Sequence, residues 1–138
     1  MTNWPAPTTP EVARLVRLIG AEAAFRLLEA RGGVALFIPR DAARSQLVDI
    51  VGEDAVRKLA STMGGLEYRV PLAREWRIIV HRVLHKRSYR EIALTVGCTE
   101  SAVWRTLNRA GMTNSAQLDL FDDVGVAGAT PALSARAV

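Results

Sequence analysis

Along the first 71 residues the apolar positions fall into a pattern that occurs twice. Leu15, Val16 and Ile19 share one face of a helix; Gly20 interrupts the pattern, and Ala23, Leu27 and Leu28 resume it. A double glycine, Gly32-Gly33, then leads into the short β-like run Val34 to Ile38, closed by Pro39. The same succession returns with a period of 32: Leu15 to Pro39 and Leu47 to Pro71 agree at eight of 25 positions, Gly20/Gly52, Gly32/Gly64, Gly33/Gly65 and Pro39/Pro71 among them. Ile19/Val51, Glu22/Asp54 and Ile38/Val70 are conservative exchanges. Each copy predicts helix, turn, helix, double glycine and short strand, with the glycine pair supplying the positive-φ stop on which helices often end. A phosphate-binding loop places its glycines between a strand and a helix N-terminus, the reverse of the order here, and no Gly-Lys-Ser/Thr follows. Two isolated five-residue strands do not make a stable sheet; they need each other or a second chain. Pairing across a twofold axis would satisfy their edges, so residues 11–71 are expected to build a homodimer, preceded by a flexible stretch 1–10.

The pattern changes after Pro71. Trp76, Ile79, Val80, Val83 and Leu84 mark an apolar stripe on a helix over Arg74 to Lys86. Ser88 and Glu91 then form an S-x-x-E capping box that starts a further helix, with Ile92 and Val96 inward and the small Ala93 where two helices cross. Gly97 suits a tight turn, Cys98 takes the apolar position after it, and Thr99 is an N-cap for the next helix. Val103 and Leu107 face inward, Thr106 stands where an aliphatic is usual, and Gly111 stops the helix. Ser88 to Gly111 therefore reads as a helix-turn-helix, with the Arg74 to Lys86 helix as the third member of its core, in a domain of residues 72–112. The outward face of the last helix, Glu100, Ser101, Trp104, Arg105 and Asn108 with Arg109 nearby, suits the major groove of double-stranded DNA, with the cap Thr99 a further DNA-binding candidate. In that geometry Arg105 pairs with guanine, Asn108 with adenine, Ser101 with a base or phosphate, and Trp104 packs on a thymine methyl or a sugar. Arg77, Arg82, Lys86 and Arg87 suit the DNA backbone, where contacts position without specifying, and Ser88 and Tyr89 are further DNA-binding candidates. The alternative is a solvated basic hairpin.

Charge sharpens this division. The 138 residues carry a net +4: +1 over residues 1–71, +5 over 72–112 and −2 over 113–138. A basic block between near-neutral and acidic segments points to a polyanionic partner. The balance of 49% apolar and 23% charged residues is that of a soluble globular protein. The longest apolar stretch, Val34 to Ile38, is too short for a membrane span, and the N-terminus has no signal-peptide pattern. Cys98 is the only cysteine, so no intrachain disulfide forms and a reducing cytoplasm is the expected location.

With the doubled unit and the helix-turn-helix both in hand, the sequence resembles the Mor family of phage transcription activators from about Leu15 to Ala110. The resemblance rests on the repeated I/V-G-x-E/D-A…L…G-G…I/V-P followed by the basic helix and the helix-turn-helix. It implies a mainly α fold: an N-terminal helical dimerisation domain with short β-strands, and C-terminal helix-turn-helix domains. It also implies binding to imperfect dyad sites in phage promoters and recruitment of bacterial RNA polymerase. The glycine-bearing strand of the family is held to approach the DNA backbone, and here that strand carries Gly64, Gly65, Tyr68 and Arg69.

Residues 113–138 are rich in Ala, Gly, Ser and Thr, show no helical stripe and are expected to be a flexible tail. Within them Gln117-Leu118-Asp119-Leu120-Phe121 matches the pentapeptide with which bacterial replication and repair proteins bind the β sliding clamp. Leu120 and Phe121 would fill an apolar pocket, with Leu118 as a second contact and the Gln117 amide at the rim. The alternatives are an arm folding back on the protein's own core and a contact to RNA polymerase. His81 and His85 stand four apart, a spacing that can hold a metal, but no H-E-x-x-H accompanies them, and helix surface or DNA phosphate is the simpler reading. Cys98 has no histidine partner implied by sequence, and Asp41, Asp49, Glu53 and Asp54 read as turn and helix-start residues. With no serine elbow, nucleotide loop or nuclease carboxylate cluster, the expectation is a non-enzyme without cofactor or metal.

Overall fold

The computed structural model describes residues 3–42 and 45–112. In chain order the elements are α1 (Pro10–Ile19), α2 (Ala21–Arg31), β1 (Ala35–Phe37), α3 (Val48–Val51), α4 (Glu53–Met63), β2 (Glu67–Arg69), α5 (Arg74–Val83), α6 (Tyr89–Val96) and α7 (Glu100–Arg109). The chain is mainly helical and divides into two compact units after Arg87. The expected tail, with Gln117 to Phe121, lies outside the described residues.

The duplication is realised element by element. In each copy two helices meet at a single glycine, which ends one helix and begins the next: Gly20 (φ 90, ψ 159) and Gly52 (φ 91, ψ 156). That region of backbone space is essentially closed to residues with a Cβ, so the corner is written into the sequence by glycine. The double glycines carry α2 and α4 into the strands, and the positive φ falls on the second of each pair, Gly33 and Gly65.

The strands pair with each other, antiparallel, in the register Ala35↔Arg69, Leu36↔Tyr68, Phe37↔Glu67. The hydrogen bonds run on beyond the three-residue strands, from Val70 N to Val34 O (3.0 Å) and from Ile38 N to Leu66 O (2.9 Å), so both expected runs are engaged along their length. Leu36 and Tyr68 are 32 residues apart, one repeat period, and stand opposite each other at the centre of the ladder. The two repeats are therefore related by a local twofold within one chain. Of the two ways of satisfying the strands, the chain takes the internal one.

The core follows the same equivalence. Ala24 and Val56, Leu27 and Leu59, and Ile38 and Val70 are repeat mates, all at most 1% exposed. At about 25 cal/mol per Å² of apolar surface removed from water, the leucines, the valines and Ile38 among them stabilise the unit by about 1.5–3 kcal/mol each.

Two expectations are corrected. The first is the flexible stretch 1–10, of which residues 3–10 are described. Thr9 caps α1, accepting from Val12 N at 3.3 Å, and Pro10 opens the helix. Trp4 packs against Phe25 and Trp76, with ring centroids 5.9 and 6.2 Å away, and Pro5 O accepts the Trp76 indole N–H at 3.1 Å. The ring contacts of Trp4 and the Pro5 hydrogen bond offset the conformational entropy lost in ordering this segment. The second is the boundary at residue 72. Trp76 and Val80, both fully buried, belong to the core formed by the repeats, so α5 closes the first unit and the division falls after Arg87. Val83, expected inward, is 38% exposed.

Candidate nucleic-acid interface

The second unit forms as its sequence prescribes. Ser88 Oγ accepts from Glu91 N at 3.1 Å, and Ser88 N donates to Glu91 Oε1 at 2.9 Å, which completes the capping box of α6. Gly97 ends α6 in the left-handed region (φ 86, ψ 45), so the chain reverses at once. Thr99 then caps α7, its Oγ1 accepting from Ala102 N at 3.0 Å. Ile92, Val103 and Leu107 are fully buried, with Ala93, Val96 and Thr106 close to it. Cys98 is half-buried.

With that side of α7 turned inward, the opposite side carries Glu100, Ser101, Trp104, Arg105, Asn108 and Arg109, all exposed. Residues 101, 104, 105 and 108 are three and four apart and share one face. Trp104, at 40% exposure, keeps a large indole partly in water. Ser88 and Tyr89 are half-buried, and the hydroxyls of Ser88 and Thr99 are engaged as caps. Arg90, exposed in the first turn of α6, is a further cation that the sequence reading passed over; its signal was position, in the first turn after a capping box.

The basic residues of α5 are placed differently from expectation. Arg77 is 6% exposed, and its Nε donates to Glu29 Oε2 at 2.7 Å. Arg82 is 7% exposed, and its Nη1 donates to Arg87 O at 2.9 Å. Neither guanidinium faces solvent for phosphate contact; Lys86 and Arg87 remain exposed. His81, expected on the surface, is 3% exposed, with its Nε2 2.9 Å from Glu29 Oε1. Its Nδ1 is buried without a hydrogen-bond partner among the described residues. One carboxylate on α2 thus accepts from two residues of α5. Burial pushes Glu29 up, but the His81 and Arg77 hydrogen bonds outweigh it and hold the carboxyl below its ordinary value. His85, 5.6 Å from the Phe25 ring, is lowered by desolvation first, then by the charges of His81 and Arg87. Among the described residues no group of three or more His, Cys, Asp or Glu side chains is placed to hold a metal ion. No helix among them is long and apolar enough to cross a membrane.

On the ribbon, Tyr68 is half-buried and Arg69 exposed, while Gly64 and Gly65 are half-buried. A Cβ at Gly65 would stand 2.6 Å from Arg40 Nε, so that turn is closely covered. Phe37, Leu66 and Val34 are 67%, 60% and 49% exposed, an apolar border on the same ribbon. Comparisons of the chain with protein-family models, with curated proteins and with solved structures return no match.

Proposed function

We propose that the chain is a homodimeric, sequence-specific DNA-binding protein, with Ser88 to Gly111 as its helix-turn-helix and transcription activation in the manner of the Mor family as its role. The observation that carries the reading is the outward face of α7, where Ser101, Trp104, Arg105 and Asn108 lie exposed behind a buried Val103 and Leu107. An arginine and an asparagine on the exposed face of a second, short, capped helix match the donors and acceptors of guanine and adenine in the major groove. Lys86, Arg87, Arg90 and Arg109 supply phosphate contacts, and these make affinity fall steeply with salt. Dimerisation draws support from the exposed Phe37, Leu66 and Val34 on the ribbon, which a second copy would cover.

The test is selection from random duplex DNA followed by mobility shift with the enriched site. Arg105→Ala and Asn108→Ala should each weaken the selected site by about 1–3 kcal/mol and relax the base preference at one position. Failure to enrich any sequence, or unchanged preference in both variants, overturns the reading. Sedimentation at micromolar concentration checks the dimer.

A second reading takes the tail as the working part. Gln117 to Phe121 would bring the β sliding clamp to DNA, or block it there, with the DNA-binding dimer as its anchor. Fluorescence polarisation of peptide 113–126 against bacterial β clamp separates the two. Binding lost on Leu120→Ala and Phe121→Ala favours the adaptor; no binding leaves the transcription factor.

A further inference from the structure

The duplication creates two clefts, and they differ. One lies against α1, the end of α4 and β2, and holds about 560 Å³. Its counterpart lies against α3, the end of α2 and β1, and holds about 260 Å³. Their linings correspond through the 32-residue period: Leu15 with Leu47, Leu18 with Ile50, Pro71 with Pro39. The apolar floor is thus common to both copies, as a shared fold requires.

The rims are not common. Arg14, Arg17 and Arg69 border the larger cleft, and their mates 32 positions away are Gln46, Asp49 and Phe37. Tyr68 replaces Leu36 in the wall, while Met63 stands where the smaller cleft has Arg31. Folding does not call for the three arginines, since their repeat mates take the same places beside the corner glycine and in the strand without them, although α3 is four residues long where α1 is ten. Two other exposed arginines of this unit are held by acids on their own helix, Arg26 by Glu22 at 2.6 Å, and Arg57 by Glu53 at 2.8 Å and Asp54 at 3.0 Å. Arg14, Arg17 and Arg69 have no carboxylate partner among the described residues, although Glu11 borders the same cleft. The larger cleft therefore combines an apolar floor, unpaired guanidinium groups and a volume within the about 300–1,000 Å³ of small-molecule sites.

We propose that this cleft binds an amphipathic organic anion, a carboxylate or phosphate ester carried on a short apolar body. The anion sits among Arg14, Arg17 and Arg69, whose planar forks match carboxylate and phosphate oxygens. The apolar body lies on Leu15, Leu18 and Met63, with the Tyr68 ring as its wall. This site lies on the first unit and does not rest on the helix-turn-helix reading; it shares Tyr68 and Arg69 with the strand that the family resemblance sets against the DNA backbone, and a duplex competitor separates the two.

The test uses the full chain, isotopically labelled, titrated with octanoate, octyl phosphate, octanol and inorganic phosphate while amide resonances are followed. Saturable shifts at Leu15, Leu18, Met63 and Tyr68 with octanoate or octyl phosphate are expected, and the tighter of the two identifies the headgroup. Arg14→Ala/Arg69→Ala should weaken binding more than tenfold, and Gln46→Ala in the smaller cleft should leave it unchanged. Both arginines are exposed, so the variant keeps its thermal midpoint; if it does not, Arg17→Ala serves instead. Equal binding of octanol, equal binding of inorganic phosphate, shifts confined to the smaller cleft, or no saturation each overturns the proposal. Displacement of octanoate by a 20-base-pair duplex assigns the arginines to DNA phosphates and overturns it as well.

Discussion

The two repeats share a framework and have parted at their surfaces. Leu27 and Leu59 occupy the same place in the core and are both fully buried, and the corner glycines Gly20 and Gly52 agree in φ and ψ within a few degrees. Outside that framework the copies separate. Helix α1 spans ten residues with a threonine cap, whereas α3 spans four and starts at Leu47 without a side-chain cap. Glu29 of the first copy ties α2 to α5, while its mate Ser61 is exposed and bonds only to its own helix, at Lys58 O. Packing constrains both copies in the same way; solvent and the third helix do not. A duplicated fold therefore marks its own specialised positions, because every residue has an internal control 32 positions away.

The largest expected effect tests the shared part. Leu27→Ala and Leu59→Ala should each destabilise the protein by about 2–5 kcal/mol, since both remove a fully buried leucine. Urea unfolding measures this, and a difference of several kcal/mol between them would break the equivalence of the two cores.

Glu29→Gln tests the unshared part. Removing the charge leaves Arg77, with its side chain 8% exposed, facing a neutral group, at a cost of about 3 kcal/mol. Ser61→Ala at the mate position should change stability by less than about 0.5 kcal/mol. The pair also leaves a signature in pH. A carboxyl lowered in the native state contributes its full stability above the ordinary value of 4.5, and that stability is lost as pH falls through the lowered native value. Thermal midpoints should therefore drop below pH 4.5 in the wild-type chain and drop less in Glu29→Gln. Parallel curves would remove Glu29 from the account.

The smallest effect lies at the helix starts. Thr9→Ala should cost about 1 kcal/mol, because the hydroxyl satisfies Val12 N at the head of α1. Hydrogen exchange should report the loss as fraying confined to α1, with α3 unchanged.

Local rules made much of this molecule readable in advance. Positive-φ corners that favour glycine, a Ser-x-x-Glu box and a cap threonine act within a few residues, and each produced the element its chemistry calls for at Gly20, Gly52, Ser88, Gly97 and Thr99. The face of α7 followed too, because Val103 and Leu107 fix the inward side and hence the outward one. The fate of α5 was not readable. Its arginines and histidines look like a solvated basic face until Glu29, 48 residues before Arg77, is brought beside them. The strand partner was equally hidden, since Leu36 and Tyr68 satisfy the same backbone bonds whether they meet each other or a second chain. The sequence alone determined the repeat, the caps and the corners, which depend on neighbours along the chain. The tertiary structure decided which charges stay in water and which strands meet, because burial and pairing depend on residues that only folding brings together.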